Sequence, residues 1–151
     1  MKQSPELDRV ELNMRPMCLC AEGFLGDDPR RLIEILTEDQ GTVNSLGLSH
    51  HVIAQRLREI TEKASGGWGD PVVVEEKFEV EVHEARGKIS CPWGHPGLYP
   101  KTHVRLRKME TGDDLVWSDL TIHLIEAHGF YQGRGSPYRL DPSKVKRTLE
   151  L

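Results

Sequence analysis

The sequence predicts an α+β domain: an N-terminal helical pair, a small antiparallel sheet, a buried helix and a C-terminal helix. Apolar residues recur at helical spacing between residues 29 and 64, and the period changes to two after Pro71. Residues 120–128 then carry apolar side chains on two opposite sides of one short helix, the pattern of a buried element.

With 151 residues, the chain has the length of one domain around one core, and it is read as a single domain over 1–151. Residues 1–27 show no clear period and are expected to be partly loose, with 15–20 as a short extended edge. Residues 28–65 form the helical part. Asp28 and Pro29 offer a cap followed by proline at the first helical position, and Leu32, Ile33 and Leu36 make a stripe that ends before Gly41. Ser49 caps a second helix, in which Ile53, Leu57, Ile60 and Ala64 fall at steps of four, three and four. Residues 66–71, with three glycines and a proline, are a Gly-rich connection.

The remainder, 72–151, holds the sheet, the buried helix, a Gly/Arg loop and the terminal helix. Phe78, Val80 and Val82 alternate with Glu79, Glu81 and His83, and Val104 and Leu106 alternate with Arg105 and Arg107. The turn at 111–114 followed by Leu115, Val116 and Trp117 signals a hairpin. Ser118 or Asp119 starts the buried helix and Gly129 stops it. Leu120, Leu124 and Ala127 share one face, and Ile122 and Ile125 the other. Asp141 and Pro142 start a final helix over 142–149.

A formal charge of −4 argues against a chain-wide grip on nucleic acid or membrane, and no apolar run reaches the ~20 residues of a membrane helix. The first 26 residues lack the basic start and apolar core of a signal peptide, so the expected location is cytoplasmic. Three cysteines, Cys18, Cys20 and Cys91, are too few for a disulfide framework and read as reduced thiols. Cys18 and Cys20 are expected to alternate along a strand with both thiols on one buried face.

The strongest chemical constellation is Cys91 and His95 with His123 and His128, a candidate zinc site. Cys91, Pro92, Trp93 and Gly94 make a tight turn of the kind that presents a thiolate, and two histidines on a helix supply the second half of a tetrahedral set. The order of turn, hairpin and helix is similar in its parts to a ββα zinc finger. The first pair here is Cys and His, however, and the 27 residues between His95 and His123 are about twice the ~12 of that pattern, so no family is assigned. His123 and His128 lie roughly 140° apart on an ideal helix, and convergence on one ion is expected to require a tightened last turn. His103 is a substitute ligand.

The loop over 129–139 offers Arg134 and Arg139 as anion-binding residues. Its alternative role is structural, with Gly133 and Gly135 at positive φ. Residues 86–108 contain six basic and no acidic residues among aromatics, whereas 75–84 carry five glutamates. As neighbouring strands these charges pair, so nucleic acid is a disfavoured partner. Leu46 to Ser49 before Ile53 is a poor match to a helix-turn-helix, and Ser118, Ser136 and Asp119 near the histidines form no recognisable nucleophile motif. Two functional readings follow. One is a zinc-stabilised binding module for a protein or anionic ligand, contacting it through Trp93, Tyr99, Arg105, Arg134 and Arg139. The other is a small enzyme with His128 or His123 as general base and the two loop arginines holding an anionic substrate.

Overall fold

A computed structural model describes residues 2–19 and 23–151, and its architecture is α+β. Residues 5–13, expected to be loose, form helix α1 (Pro5–Asn13). Ser4 accepts a hydrogen bond from the Leu7 N–H at 3.2 Å, and Pro5 occupies the first helical position, the same start signal as at Asp141 and Pro142. The expected extended edge at 15–20 is instead a run of turns through residue 19, and Cys18 is exposed rather than on a buried strand face. Cys20 lies outside the described residues.

Helix α2 (Leu32–Ser45) starts later and ends later than expected. Asp28 does not cap it, because its carboxylate is occupied by the Arg30 guanidinium at 2.6 and 2.9 Å and by the Arg30 and Arg134 backbone N–H groups, each at 3.1 Å. The free N–H groups at the start of α2 are met from α1 and the residues before it: Leu32 donates to Glu11 Oε1 and Ile33 to Gln3 Oε1, both at 2.8 Å. Gly41 does not stop the helix. It faces open space, and the buried stripe runs on as Leu32, Ile35, Asp39 and Val43.

Helix α3 (His50–Ala64) is capped by Ser49 as expected and buries Ile53, Leu57, Ile60 and Ala64 together with Ala54. Four antiparallel strands follow in spatial order: β1 (Val72–Val74), β2 (Phe78–Ile89), β3 (Tyr99–Lys108) and β4 (Asp114–Trp117). Phe78, Val80, Val104, Leu106, Leu115 and Trp117 make the buried face against α3, as the alternation requires. Each fully buried aliphatic side chain in this layer contributes roughly 1.5–3 kcal/mol relative to exposure. On the outer face Glu79 pairs with Arg107 and Glu81 with Arg105 in register, which sets the acidic stretch against the basic one.

Helix α4 (Asp119–His128) begins with a reciprocal capping box between Ser118 and Thr121. Its two apolar sides enter different clusters. Ile122 and Ile125 pack into the layer between α3 and the sheet, whereas Leu120 and Leu124 join Val10, Met14, Leu32, Cys91 and Phe130. Ala127 is exposed, so the second stripe is shorter than the sequence pattern implied. Helix α5 (Pro142–Leu149) closes the first cluster through Val145 and Leu149. Among the described residues, no helix is long and apolar enough to cross a membrane.

Candidate metal centre

The connection from β2 to β3 and the last two turns of α4 meet at one place. Cys91 sits at the start of a tight turn, closed by the Gly94 N–H donating to the Cys91 carbonyl at 2.9 Å with Gly94 at φ 83°. The Asn13 side chain of α1 donates to the Pro92 carbonyl at 2.9 Å and fixes the turn from outside. The Cys91 thiol is buried, and the backbone N–H groups of Trp93 and His95 are directed at it. Burial pushes the thiol up from its ordinary value, and those two N–H groups act in the opposite sense by stabilising the thiolate.

His95, on the same turn, and His123 and His128, on α4, complete the set. One ligand atom from each of the four residues lies within 4.8 Å of all the others. The Cys91 Sγ to His128 Nε2 separation is 3.5 Å. A tetrahedral zinc, with ~2.3 Å to sulfur and ~2.0–2.1 Å to nitrogen, spaces its ligand atoms roughly 3.3–3.6 Å apart, so small side-chain rotations close the remaining gaps. The three imidazoles face one another in pairs, with ring centroids 4.7 to 5.4 Å apart.

Convergence of His123 and His128 does not come from a tightened last turn. The Gly129 N–H reaches back to the carbonyls of Ile125 and Leu124, and Phe130 N reaches Leu124 O at 3.0 Å, six residues back, so the turn closes wide. The imidazoles instead reach the thiol from either side of the Leu120 and Leu124 face. Two aromatic rings from the β2–β3 connection and the start of β3 hold them there. Trp93 stacks on His128 with centroids 4.1 Å apart, and Tyr99 stacks on His123 at 4.7 Å.

The electrostatics favour neutral, metal-competent imidazoles. Burial, followed by the charge of His95 and then His123, pushes His128 down to about 4. Burial and then His95 likewise lower His123. His123 Nε2 is buried and has no hydrogen-bond partner, a cost of ~1–3 kcal/mol unless something binds it.

The other predicted positions lie elsewhere. His103 is outside the group, its Nδ1 3.1 Å from the Tyr138 hydroxyl. Arg139 donates to both oxygens of the buried Asp39 carboxylate at 2.6 and 3.0 Å and to the Gln132 carbonyl at 2.9 Å. Arg134 is exposed, with Glu38 at 3.5 Å. Gly135 takes the expected positive φ, 86°, but at the preceding step it is Gln132 rather than Gly133 that does so, at 69°. Ser118 caps α4, Ser136 donates to Gln132 and Asp119 accepts from Thr102. The half-buried arginines of α3 are also paired, Arg56 with Glu59 and Glu75, and Arg58 with Glu126.

Reasoning from sequence did not single out Trp93 and Tyr99 as supports of the histidines. The position of Trp93 inside the Cys91 turn is the one sequence signal that points to that role. No protein-family profile matches the chain, and neither a curated protein nor a solved structure is significantly similar to it.

Proposed function

We propose that Cys91, His95, His123 and His128 bind one zinc ion that fastens the β2–β3 connection to α4, and that the domain is a zinc-stapled binding module. The observation that carries this reading is the meeting of four ligand atoms from two separate elements within 4.8 Å around a buried thiol. One sulfur and three imidazole nitrogens suit zinc better than the oxygen-seeking magnesium or calcium. The centre ties down a part of the fold that is otherwise thinly held, because residues 83–88 of β2 are exposed and the turn after it contributes only Cys91 and Pro92 to the buried interior. A single thiolate site and the exposed Cys18 thiol suit a reducing compartment such as the cytoplasm.

Purified protein is expected to carry about one equivalent of zinc and to melt at lower temperature after chelation, since a site coupled to folding adds its binding energy to stability. Cys91→Ser and His123→Ala each lower the melting temperature of the loaded protein to near the chelated value. Protein that retains no metal and melts unchanged with a chelator overturns the proposal.

One observation favours a catalytic centre as the second reading. His95 is exposed while the other three ligands are partly or fully buried, and His123 also lines a cleft of about 400 Å³ with Glu62, Asp119 and Glu126. A metal held by Cys91, His123 and His128, with His95 exchanging for water, has the open position that hydrolysis requires. Zinc-loaded His95→Ala that retains its metal and hydrolyses an activated ester faster than wild type favours this reading; loss of the metal in that variant favours the closed, structural site.

A further inference from the structure

Helix α1 meets the Cys91 turn in two ways. Val10 and Met14, on its inner side, share one buried cluster with Cys91, Leu120 and Leu124. Asn13, its last helical residue, donates from its side-chain amide to the Pro92 carbonyl at 2.9 Å, 79 residues away in sequence. The same segment is tied to α2, where the Leu32 and Ile33 N–H groups donate to Glu11 and Gln3. A helix of nine residues is too short to persist alone in water, so α1 exists by virtue of these contacts.

The Pro92 carbonyl belongs to the same peptide group as the Trp93 N–H, and that N–H is directed at the Cys91 sulfur. A trans peptide is planar, and its carbonyl and N–H point in opposite directions. Fixing the carbonyl from one side therefore fixes the N–H on the other. This peptide is also the central one of the turn closed between Cys91 and Gly94, the unit that swings when such a turn changes type. Asn13, the peptide and the thiol thus form a chain of hydrogen bonds in which each polarises the next. A swing of the peptide breaks both bonds together.

We infer that Asn13 is a positioning residue for the metal centre and that α1 regulates how tightly the metal is held. With α1 docked, the Trp93 N–H is held on the Cys91 sulfur; with α1 released, the turn loosens and the metal leaves faster. The inference rests on the reading of Cys91, His95, His123 and His128 as a zinc site. Linkage makes the effect reciprocal, so bound metal holds α1 down by the same factor by which α1 tightens the metal.

The test compares the full wild-type chain with two variants. Asn13→Leu keeps the bulk and the helix-forming tendency while removing the donor, and Asn13→Gln restores an amide on a longer stem. In competition with a chromophoric chelator, Asn13→Leu is expected to bind zinc about tenfold more weakly, and Asn13→Gln to recover part of the loss. With cobalt in place of zinc, the sulfur-to-metal charge-transfer band of Asn13→Leu is expected at longer wavelength than that of wild type. A sulfur that loses an N–H bond gives up an electron more readily, whereas a loss of packing elsewhere leaves that band in place. Backbone amides of α1 are expected to exchange with deuterium at least about tenfold faster in chelated than in loaded wild type. Wild type that binds no zinc sinks the metal reading and this inference with it. Wild type that binds zinc, with affinity and band position unchanged in Asn13→Leu, leaves the metal reading standing and overturns this inference alone. Amides of α1 that exchange equally with and without metal do the same.

Discussion

The Trp93 indole lies flat on the His128 imidazole, with centroids 4.1 Å and planes 4° apart. Trp93 is two residues from Cys91, so the turn that supplies the thiol also supplies the support for a histidine 37 residues away. An aromatic pair of this kind contributes ~0.5–1.5 kcal/mol beyond its area, and here it also fixes the ring that carries one of the four proposed ligand nitrogens. Trp93→Ala is expected to weaken zinc binding about tenfold or more, measured by competition with a chromophoric chelator, while Trp93→Phe retains most of it. Equal loss in both variants indicates a role for the indole N–H instead of stacking.

The four proposed ligands differ in exposure, and this separates metal binding from simple packing. His95 is exposed, so His95→Ala in metal-depleted protein is expected to change stability by no more than about 0.5 kcal/mol. In the loaded protein the same change is expected to lower the melting temperature clearly. Melting curves with and without chelator test this, and a variant that behaves alike in both states shows that His95 is no ligand.

Acid should loosen the metal-depleted domain. His128 is depressed to about 4 from its ordinary 6.5, chiefly by burial, so between those values the unfolded chain binds a proton that the folded chain refuses. This contribution to stability is fully present above about pH 6.5 and is lost as the pH falls toward about 4. Urea midpoints of chelated protein are expected to fall over that window, and His128→Gln is expected to flatten the dependence. A midpoint constant between pH 7 and pH 5 contradicts it.

Much of this fold is legible in the sequence where period and cap agree. The stripe from Ile53 to Ala64, the alternation from Phe78 to Val82 and the Asp141–Pro142 start all give elements at those positions. The failures have a common cause, since local signals are overruled by partners distant in sequence. Asp28 resembles a cap but is claimed by Arg30 and Arg134, and the donors of α2 are met by Gln3 and Glu11 of a segment whose own period is unclear. At the site, residue types and turn chemistry nominate Cys91, His95, His123 and His128 together. The ring stacking that orients two of them depends on where β3 begins relative to α4, which no spacing rule encodes.

Arg139 and Asp39 form a buried pair, with side-chain exposures of 17% and 4% and two hydrogen bonds between them. Removing one partner strands the other charge, so Asp39→Ala is expected to destabilise by ~3–5 kcal/mol, and Arg139→Met by a comparable amount. The double variant Asp39→Leu with Arg139→Met is expected to be less damaging than the sum, because it leaves no unpaired charge. Denaturant titration of the three proteins measures the coupling, and strict additivity shows that the pair does not act as a unit.

Gly129 couples the end of α4 to a polar contact on α3. Its backbone is left-handed at φ 62°, and a Cβ there would stand 2.7 Å from His50 Nε2. That ring is not free to move aside, since Nδ1 is 2.8 Å from the Tyr131 hydroxyl and Nε2 is 2.6 Å from Gln40 Oε1. Gly129→Ala therefore faces two costs, the ~1–2 kcal/mol of placing alanine in the left-handed region and the loss of partners for the buried Tyr131 hydroxyl, ~1–3 kcal/mol. Gly47 is a natural control: it has φ 72° but open space where the Cβ would go, so Gly47→Ala incurs only the first. Urea denaturation is expected to show Gly129→Ala as the more destabilised of the two by at least about 1 kcal/mol, with weakened zinc binding because His128 immediately precedes it. Equal losses at the two glycines mean that His50 yields without cost and that its bond to Tyr131 contributes little to holding α4 in place.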